Sequence, residues 1–431
     1  MSMQQYENYK DTGNTWLGRV PSSWEVRRAD FVIKSQKFQV GPSDLEDVDV
    51  YHYAIPTVQS TGAGAIEEGE SIDSGKLIIN EPQVLVSKLN PRKATVTIAD
   101  PHAEYLTVAS TEFVPLIPYD ADLRYIFYTW KSEKVTKRLS SFVQSVTRSH
   151  QRCDPADITK IPWAWPSLNE QQKIATFLDR KTAEIDALID KKRRLLNRLA
   201  EKRTALITSA VTKGLNPDAP MKDSGIEWLG EIPTHWDVMA IKWITPVLRG
   251  ASPRPIDDPI YFDDDGEYSW VRIADVTASE VCLEKTTQRL SELGASLSVK
   301  RHPGDLFLSI AGSVGKPIIT GIKCCIHDGF VYFPRIPHEL SEYLFWIFKS
   351  GQPYLGLGKL GTQLNLNTDT VGGIRIAVPP TDEVNEIVEW ISHSVKSLDE
   401  IHERIGNAIA LLEEYRSALI TNAVTGQIKV S

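Results

Sequence analysis

Cysteine is scarce and unpatterned: Cys153, Cys282, Cys324 and Cys325 are the full complement of 431 residues, with no C-x-x-C spacing and no histidine at zinc-ligand distance. No metal site is therefore expected, and the adjacent pair reads as strand packing. Long apolar runs are missing too, and the N-terminal MSMQQYENYK is polar, so neither a membrane span nor a signal peptide is expected. These absences imply a reduced, cytoplasmic protein with no membrane partner. A surplus of basic charge is also missing. The formal charge of −8 at first argues against a nucleic-acid partner. Net charge averages over whole surfaces, however, and an acidic protein can still carry a local basic groove.

Catalytic signatures are absent as well. The stretch AGSVGKP at 311–317 fails as a phosphate loop, because Ile310 stands where the first glycine is needed and Pro317 where Ser or Thr should follow Lys316. His402-Glu403 begins like a helical zinc-protease motif but lacks the second histidine. There is no G-x-S-x-G elbow and no dinucleotide fingerprint. No catalytic, cofactor-binding or metal-ligating residue is assigned.

What the sequence does hold is a helix stated twice. Residues 167–212 return, shifted by 213 positions without a gap: Pro166 falls on Pro379, Ile174 on Ile387, Asp186 on Asp399, Leu199 on Leu412, and Ala205 to Thr208 on Ala418 to Thr421. The first copy carries Ile174, Leu178, Ile185, Leu188, Leu195, Leu199 and Leu206 at alternating three- and four-residue steps. The second carries Ile387, Ile391, Leu398, Ile401, Ile405, Ala408, Leu412, Tyr415 and Leu419. That narrow stripe is the seam of a coiled coil. Ser167 with Glu170 predicts a capping box at the start, and Gly214 and Gly426 predict the stops. About 40 helical residues make a strut of roughly 60 Å. Residues 170–213 carry a net +5 and residues 382–426 a net −6, so the two helices are expected to pair with each other along their flanks.

A second repeat precedes each module. Gly13-x-x-Trp16-Leu17-Gly18-x-Val20-Pro21-x-x-Trp24 returns as Gly225-x-x-Trp228-Leu229-Gly230-x-Ile232-Pro233-x-x-Trp236, a pattern that reads as a packed corner. Residues 27–165 and 239–378 read as mixed α/β modules, with strands expected near 84–87, 94–98 and 113–117, and near 268–273, 306–310, 317–319 and 330–333. An amphipathic helix recurs at 123–132 and 342–350, now offset by 218. The first copy is expected to run on to Leu139, with Lys131, Lys134, Lys137 and Arg138 on one exposed side. Struts and corners repeat almost residue for residue, whereas the loops differ. That is how a fold divides support from recognition.

The loops supply the candidate DNA-binding side chains. The first module offers Lys88, Asn90, Arg92 and Lys93 after a strand, and Arg148, His150, Gln151 and Arg152 just before the strut. The second offers Ser309, Ser313 and Lys316, then Lys359, Thr362, Gln363, Asn365 and Asn367. Lys and Arg suit phosphates and guanine edges, and Asn and Gln suit adenine edges. A loop that merely carries solvated charge is the plain alternative for each.

Together the duplicated order of module then long helix, the two corner motifs, the PSLNEQQKI opening at 166–174 and the paired ALIT-x-AVT endings resemble the specificity subunit of a Type I restriction-modification system, across nearly the whole chain. The second strut departs from the pattern, with Glu383-Val384-Asn385 where the first has Glu170-Gln171-Gln172. The resemblance implies a fold of class α/β (α+β): target-recognition domains at 1–165 and 215–378, separated by long antiparallel helices at 166–214 and 379–431 that form an intramolecular coiled coil with pseudo-two-fold symmetry. It implies a non-catalytic subunit that reads a bipartite, asymmetric site on double-stranded DNA. The helices would set the spacer and dock two modification subunits, which hold S-adenosylmethionine and methylate adenine. A restriction/translocase subunit would use ATP and Mg, and this chain would bind no cofactor itself. The chain lacks a D/N-P-P-Y/F tetrapeptide, in keeping with that division. Two other readings stay open. A stand-alone DNA-modifying enzyme would transfer methyl groups without added subunits, and a coiled-coil adaptor would bind proteins but not DNA.

Overall fold

The computed structural model describes residues 4–145, 151–355 and 366–430. Its two long helices, Leu168–Lys213 and Thr381–Val424, start and stop within one residue of the limits predicted from sequence. At the first start only half of the capping box forms. Ser167 Oγ accepts from the Glu170 N–H at 3.4 Å, but the Glu170 carboxylate accepts from the Tyr6 hydroxyl at 2.6 Å. Gly214 and Gly426 terminate the helices with φ of +72° and +69°, a left-handed turn that glycine enters at little steric cost.

The seam follows the expected stripe at Ile174, Leu178, Ile185, Ile387, Ile391, Leu398, Ile405 and Leu419, and departs from it in part. Ile174, Leu178, Ile185, Ile189, Ile207 and Val211 are buried on the first helix, whereas Leu188 and Leu195 are 43% and 45% exposed. On the second helix Ile391, Val395, Leu398, Ile405 and Ile409 are buried, while Ile401 and Tyr415 are 43% and 49% exposed. A helix of 3.6 residues per turn drifts about 20° per heptad against a strict seven-residue repeat. The buried face therefore passes to the neighbouring position, from 188 to 189 and from 408 to 409.

The chain divides into two compact units, residues 1–193 with 406–431, and residues 194–405. The boundaries thus fall inside both helices rather than at their ends, because half of each helix supplies apolar surface to each core. In the first unit the helix halves run antiparallel, with Arg416 Nε 2.9 Å from Asp186 and Arg193 3.0 Å from Glu413. In the second unit Arg203 Nε lies 3.4 Å from Asp399. Asp186–Arg416 and Asp399–Arg203 are the same pair of positions under the 213-residue shift. Such partly exposed pairs contribute about 0–1 kcal/mol each and serve register more than stability.

Among the described residues each module holds two sheets of four or five strands whose topology matches between modules, besides two-stranded pairs. In the first, Lys76–Ile78, Leu106–Ser110, Asp49–Tyr53 and Ala65–Glu68 lie in that order, with Gln39–Val40 added at one edge. In the second, Val299–Arg301, Cys324–Ile326, Tyr268–Val271 and Gln288–Leu290 follow the same order. In both, the central pair is parallel. The other sheets are Val96–Ala99, Gln83–Ser87, Phe113–Pro118 and Ile33–Lys34, matched by Pro317–Thr320, Leu306–Ser309, Phe330–Tyr332 and Leu248–Arg249, with Cys282–Leu283 at the edge. Cys324 and Cys325 are both buried in their strand and belong to separate apolar clusters, as strand packing requires.

The amphipathic helix lies between sheet and strut. Its first copy is shorter than expected, Leu123–Lys131 followed by a separate helix Glu133–Ser140. Ser132 breaks it, with extended backbone and a hydroxyl that accepts from the Val135 N–H at 3.4 Å. The break also turns the basic residues: Lys131 lies over the Phe127 ring at 4.8 Å and Arg138 over Phe142 at 4.2 Å, both half-buried rather than on one exposed side.

One residue of this helix ties each unit together. In the first unit the Tyr125 hydroxyl lies 3.2 Å from the Val424 carbonyl, at the end of the second long helix, and 3.4 Å from that of Ala164, in the strand feeding the first. In the second unit the Tyr343 hydroxyl lies 3.0 Å from the Val211 carbonyl and 3.1 Å from that of Ala377. Burial holds both phenols well above their ordinary pKa, so they stay neutral donors. Trp24 and Trp236, wholly buried, pack under Gly426 and Gly214. The Tyr343→Phe substitution strips a buried donor from the last-turn Val211 carbonyl and the strand carbonyl of Ala377 and should lower stability by about 1 kcal/mol, read as a lower urea midpoint with unchanged slope; an unchanged midpoint would show that the hydroxyl contributes nothing.

Candidate nucleic-acid interface

The loop after the buried strand Gln83–Ser87 is shaped by two left-handed residues, Asn90 at φ +49° and Ala94 at φ +46°, which bracket the turn Pro91–Lys93. Left-handed backbone is uncommon outside glycine, is tolerated by Asn, and often marks a site that needs a particular loop shape. The structure brings this loop against the segment before the strut. Asn90 N–H donates to the Gln151 carbonyl at 2.7 Å, Gln151 N–H to Asn90 Oδ1 at 3.3 Å, and Cys153 N–H to the Lys88 carbonyl at 3.1 Å. Lys88, Asn90, Arg92, Lys93, Gln151 and Arg152 therefore belong to one surface, although 57 positions separate Ala94 from Gln151.

Within that surface the side chains differ in availability. Arg92 and Lys93 are exposed, and among the described residues Lys93 Nζ reaches only Gln59 Oε1, at 3.4 Å. Arg152 is held in a two-point pair, Nε to Glu112 Oε2 at 3.1 Å and Nη2 to Oε1 at 3.0 Å. The Glu112 carboxylate raises the guanidinium pKa further and cancels its charge locally. Arg152 is thus less free for phosphate than its sequence position implies.

In the second module Gly312 at φ +65° and Gly315 at φ +83° make the tight turn after Leu306–Ser309. Ser309 is wholly buried with its hydroxyl 2.7 Å from the Ala311 carbonyl, so it shapes the loop and presents nothing to a ligand. Ser313 Oγ lies 2.7 Å from Thr277 Oγ1, and Lys316 Nζ donates to the Thr277 carbonyl at 2.8 Å. Burial, then the neighbouring Lys349 cation, lowers the Lys316 pKa. Asn367 is exposed but caps the helix Thr368–Gly373, its Oδ1 accepting from Thr370 N–H at 2.8 Å. Arg148, His150, Lys359, Thr362, Gln363 and Asn365 lie outside the described residues.

Sequence reading missed Gln59 and Thr277. They occupy equivalent places, 218 apart, on the short helices Ile55–Thr61 and Ile273–Ala278. Gln59 Nε2 donates to Thr95 Oγ1 at 3.0 Å, as Thr277 meets Ser313. Each module thus sets one polar residue of a short helix against a hydroxyl and a lysine of the loop. The 218-residue offset of the amphipathic helix, applied here, could have found the pair. Such a cluster can present amide, hydroxyl and ammonium groups to a polyanion. Among the described residues no group of three or more His, Cys, Asp or Glu is placed to hold a metal ion, and no helix is long and apolar enough to cross a membrane.

Comparison with known proteins places this architecture. The family model described as "Type I restriction modification DNA specificity domain" matches the chain twice, at residues 21–198 and 233–411. The Type I restriction enzyme MjaVIII specificity subunit of Methanocaldococcus jannaschii is 24% identical over 449 residues, covering 100% of this chain and 98% of its own. A putative type I restriction enzyme MjaX specificity subunit of the same organism is 21% identical, covering 98% and 97%. Among solved structures, a chain from work on complex assembly and conformational transition of the type I R-M system superposes with a TM-score of 0.71 at 17% identity, covering 94% of this chain and 98% of that one. The HsdS subunit from Thermoanaerobacter tengcongensis gives 0.54 at 17% identity, with 95% and 98% covered.

Lys93→Ala should weaken binding to duplex DNA and reduce the slope of log K against log salt by about 0.9, one phosphate contact. The double variant Arg152→Ala, Glu112→Gln removes an already neutral pair and should leave that slope unchanged. Fluorescence anisotropy across a salt series measures both, and equal losses would place Arg152 on phosphate after all.

Proposed function

The chain belongs to the Type I restriction-modification DNA specificity family, and from that premise we propose that it reads two different half-sites of a split DNA target, one with each module. The observation that carries this reading is the contrast inside one chain. The supports repeat position by position: Tyr125 with Tyr343, Trp24 with Trp236, Asp186–Arg416 with Asp399–Arg203. The exposed loop chemistry does not repeat, with an amide and an exposed lysine in long contact with it at Gln59 and Lys93 against a hydroxyl and a lysine tied to the backbone at Thr277 and Lys316. Different groups in the same frame favour different base edges, and so an asymmetric site.

The long helices set the spacer between half-sites in this reading, and their exposed positions dock two modification subunits. Those subunits carry S-adenosylmethionine and methylate adenine, and a restriction/translocase subunit supplies ATP- and Mg-dependent cleavage. This chain contributes recognition and no catalytic group. With a formal charge of −8, it takes part of its electropositive channel from those partners. The loop residues Lys88, Asn90, Arg92, Lys93 and Gln151 of the first module, and Ser313 and Lys316 of the second, make its own DNA contacts. Arg148, His150, Lys359, Thr362, Gln363 and Asn365 remain assigned to the same role from their sequence positions.

The spacer is directly testable. Inserting four residues after Asn197 and four at the equivalent Ala410 adds about 6 Å of helix, roughly two base-pair steps at 3.4 Å. The variant should methylate the same half-sites separated by a longer spacer. Altered half-sites with an unchanged spacer would overturn the role given to the helices.

A further inference from the structure

The internal repeat exposes a site that one module has and the other has filled. In the first module a cleft of ≈ 480 Å³ is lined by Gln59, Gly62, Lys93, Thr95 and Lys131, among others. Two cations enter it. Among the described residues Lys93 Nζ reaches only Gln59, at 3.4 Å. Lys131 is half-buried and makes no hydrogen bond or ion pair among the described residues; its ammonium rests over the Phe127 ring. The buried Thr95 accepts from Gln59 Nε2 at 3.0 Å, which leaves the hydroxyl's own hydrogen to donate. Burial, and then the neighbouring Arg416, lowers the Lys131 pKa, an effect that Asp186 offsets only in part.

The second module is the control. A shift of 218 carries Lys131 to Lys349, Gln59 to Thr277 and Gly62 to Glu280. There Lys349 Nζ donates to Glu280 Oε2 at 2.9 Å and to the Glu280 carbonyl at 3.0 Å, while Lys316 is spent on the Thr277 carbonyl at 2.8 Å. A carboxylate stands where the first module has a glycine with no side chain. Among the described residues neither Lys93 nor Lys131 forms an ion pair, although Asp186 lies near enough to Lys131 to act on its charge.

We propose that the first-module cleft binds one phosphate group through Lys93, Lys131 and the Thr95 hydroxyl, and that Glu280 occupies the equivalent place in the second module. Resting on the DNA-recognition reading, this makes the two modules unequal. The first takes an additional backbone phosphate, and the second depends more on its loop. Two compact ammonium groups and a hydroxyl lining one cleft suit a tetrahedral oxyanion better than a flat base edge.

The test is the reactivity of Lys131 in the full chain, followed by acylation footprinting and mass spectrometry. Inorganic phosphate, against chloride at matched ionic strength, should slow Lys131 acylation several-fold and leave Lys349 unaffected; duplex DNA should do the same. Protection by inorganic phosphate but not by DNA would keep the phosphate site and sink its link to DNA recognition. Protection of Lys131 by neither would overturn the proposal. A second arm guards against a variant that misfolds. Glu280→Gln should release Lys349 and make it phosphate-protected, while Lys131→Gln should reduce the salt slope of DNA binding by about 0.9. A Lys349 that phosphate still leaves unprotected in the Glu280→Gln chain would also count against it.

Discussion

A buried phenol hydroxyl joins each module to both struts, and the remaining order of the fold follows from that bond. The last turn of an α-helix leaves carbonyls without intrahelical partners, and such groups, when buried, must be satisfied. Tyr125 donates at the end of the second long helix beside the strand that leads into the first; Tyr343 does the converse. A single hydroxyl therefore fixes where one helix stops against where the other starts. The glycine turns over Trp24 and Trp236 are built on the same meeting point. Once both ends are held in this way, each helix must contribute to both units, as the division at Arg193 and Gly406 records.

Duplication makes this arrangement economical in information. One frame, with its parallel strand pair, its short helix and its tyrosine, is specified twice, and the differences collect in the loops. Even the departure at the second strut follows this logic. Gln171 donates to the Pro166 carbonyl at 3.0 Å and accepts from the Asp122 N–H at 2.9 Å, whereas Val384 in its place is simply buried. Glu383 instead accepts from Trp236 Nε1 at 2.9 Å and lies 2.8 Å from His235 Nε2, a substitute network at the same corner.

The long helices were legible from sequence because forty-odd residues of periodicity, a cap and a glycine stop all agree. Their buried face was less legible, since a seven-residue template drifts from a 3.6-residue helix, and Leu188 and Leu195 fell on the wrong side of it. Strands such as Leu306–Ser309 and Phe113–Pro118 were visible as apolar runs. Asp49–Tyr53 and Gln288–Leu290 were not, because polar residues interrupt them. Among candidate site residues, sequence identified charge but not its neutralisation: nothing local says that Arg152 pairs with Glu112 or that Ser309 is buried. Gln59 and Thr277 escaped notice because their role appears only when a helix and a loop some 36 positions apart are folded together.

The central claim is that one frame carries two different readers. Single-molecule sequencing of host DNA, with and without this chain expressed, measures it most directly. The expected result is a set of modified adenines, dependent on the chain, in a split motif whose two halves differ and whose spacer is constant. A continuous motif, or two identical halves in inverted repeat, would contradict it.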